Sequence, residues 1–144
     1  MKCYLFDLDG TLADCEHRRH HVTGEKKDWD AFYAGCGEDP PVAAIAQLCR
    51  DLAEIENIVY VTGRPERCRE ATEEWLSQHV LPAGPIYMRK DDDYRADDVV
   101  KLELLAQIRA DGCEPVLAFD DRDRVVKAWR KAGIPCAQVA EGDF

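Results

Sequence analysis

Short apolar runs alternate along this chain with stretches in which apolar residues recur every three or four positions. Residues 2–8 read KCYLFDL, which is typical of a buried strand that runs into a turn. Four further strands are predicted on the same grounds, at residues 58–61, 86–88, 116–119 and 136–139. Helical spacing predicts the helices between them, at residues 41–56, 66–79, 97–110 and 122–132. The alternation predicts an α/β fold, doubly wound, with a mostly parallel five-stranded sheet covered by helices on both faces.

Residues 14–40 depart from this rhythm. They carry the run HRRHH, two lysines and three aromatic residues, Trp29, Phe32 and Tyr33. Because the segment follows the first strand, on the side where open parallel sheets bind ligands, we expect a small helical flap that acts as a minimal cap. The aromatic spacing favours packing as one helix face over stacking on a nucleobase. Residues 1–144 are expected to form a single domain with this flap.

Chain length and cysteine usage favour a cytoplasmic protein. A chain of 144 residues with 46% hydrophobic content is long enough to bury one core. It contains no run of about 20 apolar residues that could span a bilayer, and the N-terminus shows no signal-peptide pattern, so no membrane association is expected. The seven cysteines are odd in number and never spaced as C-x-x-C, which indicates reduced structural thiols.

The net charge of −10 argues against a broad nucleic-acid-binding surface, because such surfaces neutralise phosphates with Lys and Arg. Any contact with nucleic acid is therefore expected to be small and local. Part of the acidity fits a metal site, where a bound cation neutralises carboxylates gathered around it.

Polar residues cluster where the predicted strands end. They are Asp7 and Asp9 after the first strand, Thr62 and Arg64 after the second, Asp120 and Asp121 after the fourth, and Lys101 early in a helix. The carboxyl ends of parallel strands share one edge of a sheet, so we expect these side chains to converge. Clustered carboxylates repel one another unless a cation shares them, and oxygen ligands without a Cys or His pattern favour Mg²⁺ over Zn²⁺.

Such a cluster suits phosphoryl transfer, in which catalysis consists largely of positioning and charge stabilisation. Asp7 is predicted to attack phosphorus and become an aspartyl phosphate. Asp9 is predicted to protonate the leaving oxygen and then to deprotonate the hydrolytic water. Thr62 would donate its hydroxyl to the phosphoryl group, and Lys101 would offset the negative charge of nucleophile and substrate.

These residues resemble the four motifs of haloacid dehalogenase-like phosphatases. The matching segments are DLDGT at 7–11, VTGR at 61–64, Lys101, and FDD at 119–121. The resemblance implies a Rossmann-like sheet and the roles just given. It also implies that Mg²⁺ is held by the Asp7 carboxylate, the Asp9 carbonyl and Asp120, with Asp121 nearby.

The C-terminal half is similar to the phosphatase domain of phage polynucleotide kinases. The similar segments are DDVVK at 97–101 and residues 117–144. This resemblance implies removal of 3′-phosphates from nucleic acid ends, with Arg18 and Arg64 gripping substrate phosphates through their planar guanidiniums. The family has Ser where this chain has Thr62, and residues 14–40 do not align well with it.

No P-loop pattern G-x-x-x-x-G-K-[ST] is present, so kinase activity is not expected. A separate kinase or ligase is the expected partner, in nucleic acid repair or RNA processing.

Several of these residues also fit plainer roles. Asp120 and Asp121 precede a helix that they could cap, and Asp97 is as well suited to capping as to supporting Lys101 four residues later. Arg18 and Arg64 could be ordinary surface arginines. The histidines at positions 17, 20 and 21 are interpreted as solvated or phosphate-facing rather than as metal ligands, because no second ligand cluster accompanies them.

Three functions remain in competition. The leading one is a phosphatase for 3′-phosphates on polynucleotide ends or nucleotides. A small-molecule phosphatase such as a nucleotidase is the alternative, and the net acidity favours it. A non-catalytic interaction module is the third, although no motif residue is missing.

Overall fold

The computed structural model describes residues 1–144. Its centre is a five-stranded, all-parallel sheet in the order β3-β2-β1-β4-β5. The strands are β1 (Lys2–Phe6), β2 (Ile58–Pro65), β3 (Ile86–Arg89), β4 (Glu114–Asp120) and β5 (Cys136–Gln138). Leu5 pairs with Val59 on one side and with Ala118 on the other, so β1 lies in the middle of the sheet. The predicted fold class is confirmed.

Helices connect the strands as the alternation predicted. They are α1 (Glu16–Arg19), α2 (Trp29–Ala34), α3 (Ala43–Ala53), α4 (Arg69–Gln78), α5 (Asp97–Ala110) and α6 (Asp123–Lys131). The helix predicted at 66–79 opens with a 3₁₀ turn, Glu66–Cys68, before α4 begins. No helix in the structure is long and apolar enough to cross a membrane.

The strand ends differ from the prediction where the functional residues begin. β1 stops at Phe6 and leaves Asp7 in the following loop. β2 continues past the apolar run to Pro65, and β4 continues to Asp120. The apolar pattern marks burial, whereas strand pairing is made by the backbone, so pairing extends into polar residues that the pattern excluded.

The hydrophobic core lies on both faces of the sheet. Successive residues of β2 point to opposite faces: Val59 and Val61 join one cluster, and Ile58 and Tyr60 join the other. Side chains of α5 and α6 complete the first cluster, and those of α3 and α4 complete the second. This two-sided burial explains why β2 reads as a continuous apolar run. All seven cysteines are buried and unpaired, as predicted.

Residues 14–40 form the expected helical flap, with α1, α2 and a 3₁₀ turn at Cys36–Glu38. The Asp28 side chain caps α2 by accepting a hydrogen bond from the Ala31 backbone N–H at 3.0 Å. Phe32 is buried, as the packing interpretation requires, but Trp29 leaves 39% of its surface exposed. The flap therefore both packs against the domain and presents an aromatic ring.

Candidate active site

Three buried aspartates meet at the carboxyl edge of the sheet. Asp7 follows β1, Asp120 ends β4, and Asp121 comes next in the chain. One carboxylate oxygen from each lies within 4.8 Å of the others. Burial and the Asp120 carboxylate raise the pKa of Asp7 well above its usual range, and they raise the pKa of Asp121 to about 6. The convergence predicted for these residues is present in the structure.

Lys101 supplies the positive charge that this cluster contains. Its Nζ donates hydrogen bonds to Asp7 Oδ1 and to Asp120 Oδ2, both at 2.8 Å. Although burial opposes the charged form, Asp120 and Asp7 raise the pKa of Lys101 well above its usual value. Lys101 is therefore a buried ammonium, not a solvated helix lysine. One ammonium cannot balance three carboxylates, so the cluster has room for a further cation.

The residues present fit a hard divalent cation. Asp121 Oδ2 is buried and has no hydrogen-bond partner, which is unusual for a carboxylate oxygen unless an ion completes its surroundings. It faces Gly10, where an added Cβ would come within 2.0 Å of it. A donor set made of carboxylate oxygens suits Mg²⁺. Asp120 and Asp121 do not cap α6, whose N-cap is Arg122 without a side-chain cap.

Asp9 lies beside this cluster and is held by two arginines. Its Oδ1 accepts hydrogen bonds from Arg64 Nη2 at 2.7 Å and from Arg18 Nη2 at 2.5 Å. Burial acts to raise the pKa of Asp9, but the charges of Arg64 and Arg18 outweigh burial and lower it to about 2. Asp9 is therefore a carboxylate in this state.

Arg18 and Arg64 are almost completely buried, so the surface-arginine interpretation is wrong. Arg18 donates to both oxygens of Asp39, at 2.8 and 2.6 Å, and Arg64 Nη2 lies 3.4 Å from Asp39 Oδ2. Neither arginine lines the cavity above the cluster. Their role as phosphate-binding residues stays a prediction, and the contacts in this structure are with carboxylates.

Thr62 and Asp97 reach the site from β2 and α5. The Thr62 hydroxyl accepts a hydrogen bond from the Arg64 backbone N–H at 3.1 Å and lines the cavity. Asp97 begins α5 rather than capping it, and its Oδ1 lies 3.2 Å from Arg89 Nη2. An added Cβ on Gly63 would come within 2.0 Å of Asp97 Oδ1, so the two segments meet there without a side chain between them.

A cavity of about 690 Å³ opens above these groups. Asp7, Asp9, Thr62 and Asp121 line it from the sheet. The other lining residues belong to the flap, including Trp29, to the loop after β3 and to the start of α6. The predicted histidine roles fit this arrangement only in part: none of the three lines the cavity, and His17 contacts Asp39 at 2.6 Å.

Comparison with known families shows to which family the chain belongs. The family model described as "Polynucleotide kinase PNKP phosphatase domain" matches residues 1–144. The chain belongs to this family. The predicted resemblance to haloacid dehalogenase-like phosphatases is thereby confirmed, and this phosphatase domain is a phosphoric monoester hydrolase.

Individual relatives of the phosphatase domain agree. A putative bifunctional polynucleotide kinase/RNA ligase of Autographa californica nuclear polyhedrosis virus is 28% identical over 137 residues, which cover 93% of this chain and 18% of the relative. A chain of the Pnkp1/Rnl/Hen1 complex superposes with a TM-score of 0.84 at 28% identity, over 99% of this chain and 46% of that chain. The class C acid phosphatase of Bacillus anthracis shares the fold, with a TM-score of 0.67 at 14% identity over 96% and 68% of the two chains. This chain spans less than half the length of the first two relatives.

Sequence reasoning missed several residues that hold the site of the phosphatase domain. Thr11 donates to Asp7 Oδ2 at 2.9 Å, and Trp129 Nε1 donates to Asp120 Oδ2 at 3.3 Å. Thr11 stands inside the DLDGT motif, so its place four residues after Asp7 was a usable signal. Asp39 and Arg89 had no comparable signal, because their partners are far away in the chain.

Proposed function

We propose that this phosphatase domain requires Mg²⁺ and removes 3′-phosphates from polynucleotide ends or nucleotides through an aspartyl phosphate on Asp7. The observation that carries the proposal is the buried Asp7 carboxylate, which lines the cavity while Lys101 and Thr11 hold its two oxygens. A nucleophile fixed in this way meets phosphorus with little loss of conformational freedom. Family membership supports the choice of a polynucleotide as substrate.

Asp7 and Asp9 divide the bond changes between them. In the first step an Asp7 oxygen bonds to phosphorus, the bond from phosphorus to the 3′-oxygen breaks, and Asp9 donates a proton to that oxygen. In the second step water attacks the aspartyl phosphate, Asp9 takes its proton, and inorganic phosphate leaves with Asp7 restored. Lys101 and Thr62 stabilise negative charge during both steps.

The acidic cluster would hold the metal ion. The Asp7 carboxylate, the Asp9 carbonyl and Asp120 would hold Mg²⁺, with Asp121 beside them. Asp7, Asp120 and Asp121 offer converging carboxylate oxygens, including the unpartnered Asp121 Oδ2, and the family resemblance adds the Asp9 carbonyl. When bound, Mg²⁺ supplies positive charge that offsets the charge of the phosphate oxygens.

Arg18 and Arg64 link the protonation state of Asp9 to the binding of substrate. Arg18 and Arg64 keep Asp9 ionised, which is the form required to accept a proton from water. A phosphate dianion in the cavity would meet Asp9, would attract the guanidiniums behind Asp9 and would repel the Asp9 carboxylate. Both effects favour a proton on Asp9 for the first step. This links the predicted phosphate contact of Arg18 and Arg64 to the contacts that the structure contains.

A small-molecule phosphatase, such as a nucleotidase, is the second candidate. The net charge of −10 favours it, because a polyanion gains little from a strongly acidic protein.

Partners and location belong to the proposal as well. A separate kinase or ligase fits the relatives, one of which is a putative polynucleotide kinase/RNA ligase and another a chain of a Pnkp1/Rnl/Hen1 complex. The single-domain organisation, the cytoplasmic location and the role in nucleic acid repair stay predictions.

A substrate comparison tests the proposal. Phosphate release is measured from a 3′-phosphorylated oligonucleotide, a 3′-nucleotide and a 5′-nucleotide, each with Mg²⁺ and with EDTA. We expect the two 3′-phosphorylated substrates to be hydrolysed with Mg²⁺ and not with EDTA. Equal or better turnover of the 5′-nucleotide would refute the 3′-preference, and full activity in EDTA would refute the metal requirement.

Substitution of the nucleophile tests the covalent route. Asp7→Asn removes the attacking oxygen without a change of size, so hydrolysis should be lost while the circular dichroism spectrum and Tm are kept. Glu54→Gln, at an exposed position outside the cavity, is the matched control and should keep full turnover. Hydrolysis at the normal rate by Asp7→Asn would show that Asp7 is not the nucleophile.

A further inference from the structure

Charges are distributed unevenly along the cavity wall. On the side of β3 and its following loop, every arginine that lines the cavity has a carboxylate partner. The pairs are Arg67 with Asp30 at 2.8 Å, Arg89 with Asp97 at 3.2 Å, and Arg95 with Asp93 at 2.7 Å. These carboxylates offset the positive charge of the guanidiniums. The β3 side therefore offers a polyanion little unbalanced positive charge.

The opposite side, where α6 begins, carries two arginines that have no Asp or Glu partner. Arg122 and Arg124 line the cavity and form no ion pair with an Asp or Glu side chain. Arg122 Nε donates to the backbone oxygen of Phe144 at 2.9 Å, and Arg124 has no hydrogen-bond partner in the protein. Asp123, between them, does not line the cavity and accepts from Gln138 at 2.6 Å. The Asp and Glu side chains that line this side of the cavity are those of the active site, and Phe144 lines it as well.

The two arginines lie close to the reaction centre in the chain. Arg122 follows Asp121 directly, and the backbone from Asp121 to Arg124 can extend over at most about 10 Å. Both arginines line the same cavity as Asp7, so a strand whose terminal phosphate is held at Asp7 can pass them inside this cavity. Guanidiniums bind phosphate oxygens well because their planar N–H groups can donate two parallel hydrogen bonds.

We propose that Arg122 and Arg124 bind the internucleotide phosphates next to the terminal 3′-phosphate, so that a single strand leaves the cavity over the start of α6. This rests on the proposed function and adds the direction of the strand to it. It also reconciles a net charge of −10 with a polynucleotide substrate, since only the cations beside the site are needed. An oligonucleotide should therefore be a better substrate than a 3′-nucleotide.

The test is the double variant Arg122→Gln/Arg124→Gln, assayed on a 3′-phosphorylated oligonucleotide and on p-nitrophenyl phosphate, which has no internucleotide phosphate. We expect the ratio of kcat/KM for the two substrates to fall by about tenfold, mainly through the KM for the oligonucleotide. The dependence of log kcat/KM on log salt should weaken by about 0.7 for each arginine removed. Lys131→Gln, at an exposed position of the same helix outside the cavity, should leave the ratio and the salt dependence unchanged.

Two results would overturn the inference. An equal loss on both substrates would mean that the arginines act on the terminal phosphate or on folding. An unchanged ratio, together with a raised KM for the oligonucleotide in Tyr94→Ala, would place the strand on the β3 side, where Tyr94 lies 90% exposed in the cavity wall.

If wild-type protein hydrolyses p-nitrophenyl phosphate but no 3′-phosphate, the proposed function fails. In that case, equal binding of a 3′-phosphorylated oligonucleotide by Asp7→Asn with and without the arginine substitutions refutes the strand direction separately.

Discussion

The state of each side chain at this site depends on the groups that it contacts. Lys101 is the clearest case. It donates hydrogen bonds of 2.8 Å to both Asp7 and Asp120, and only 2% of its surface is exposed. A buried charge in this position is retained only because both carboxylates compensate it. The same contacts hold the Asp7 carboxylate in one orientation.

Lys101→Met is expected to reduce kcat by about a hundredfold or more, because it removes the only ammonium beside the developing charge. Steady-state kinetics on p-nitrophenyl phosphate checks this. Lys101→Arg keeps the charge but not the size, and should recover part of the loss. A normal kcat for Lys101→Met would contradict the role given to Lys101.

Asp39 is a positioning residue that the pattern did not reveal. It binds Arg18 through both oxygens and also contacts Arg64, and these two arginines in turn hold Asp9. Asp39 is fully buried. Asp39 therefore helps to hold the two arginines that contact Asp9.

Asp39→Asn should lower the free energy of unfolding by about 3 kcal/mol, because it leaves two buried guanidiniums with less compensation. Urea denaturation measures the change. Asp30→Asn breaks an exposed pair with Arg67 and is expected to change stability by less than about 1 kcal/mol. The optimum of the pH profile of kcat should also move in Asp39→Asn. Equal stability of the two variants would contradict a buried network.

At the scale of elements, the ends of β2 and α5 approach each other so closely that a side chain at Gly63 has no space. Arg89, at the end of β3, joins them: its Nε donates to the Gly63 carbonyl at 2.8 Å and its Nη2 contacts Asp97. The position of Lys101 depends on this contact, because Lys101 stands one turn further along α5. The contact therefore helps to position Lys101 by holding the first residue of its helix.

Gly63→Ala tests this close approach. The added Cβ would meet Asp97 Oδ1 at 2.0 Å, so the Asp97 carboxylate must move away and its ion pair with Arg89 must change. We expect a loss of about 1–3 kcal/mol in unfolding free energy and a lower kcat. Gly24→Ala, where no atom lies closer than 4.0 Å, should change neither quantity. An active, fully stable Gly63→Ala protein would show that the contact is unimportant.

At the scale of the whole molecule, the sheet brings acidic residues from both halves of the chain to one edge. Asp7 and Asp120 are separated by most of the sequence, yet Lys101 lies between them. Their mutual repulsion opposes folding unless a cation shares the site. A metal ion that binds only the folded protein should therefore stabilise the entire domain.

Saturating Mg²⁺ is expected to raise the free energy of unfolding by about 2–3 kcal/mol and therefore the Tm by several degrees. Thermal unfolding followed by circular dichroism measures the change in Tm. Asp120→Asn should weaken this dependence, because it removes one ligand charge. Glu54→Gln, outside the cluster, should keep it. A Tm that does not respond to Mg²⁺ would argue against a metal site at these aspartates.

The sequence by itself determined the elements and indicated the candidate site residues. Apolar periodicity reports burial directly, so it predicted the strand and helix alternation and the two-sided sheet. The parallel order then placed Asp7, Asp120 and Lys101 together, because strand ends share one edge. Strand bounds at Thr62 and Asp120 were missed, since pairing is made by the backbone and not by apolar side chains.

Tertiary structure alone decided which partners the buried charges have. The sequence left Arg18 and Arg64 as phosphate-binding or surface residues, whereas the fold turns both towards Asp9 and Asp39. These contacts join residues of the flap to residues of the sheet edge, and no periodicity encodes such distances. The unpaired state of Arg124 is equally invisible in the sequence, because it depends on which carboxylates the fold brings near. Short-range patterns fix elements, but electrostatic partners are fixed by packing in three dimensions.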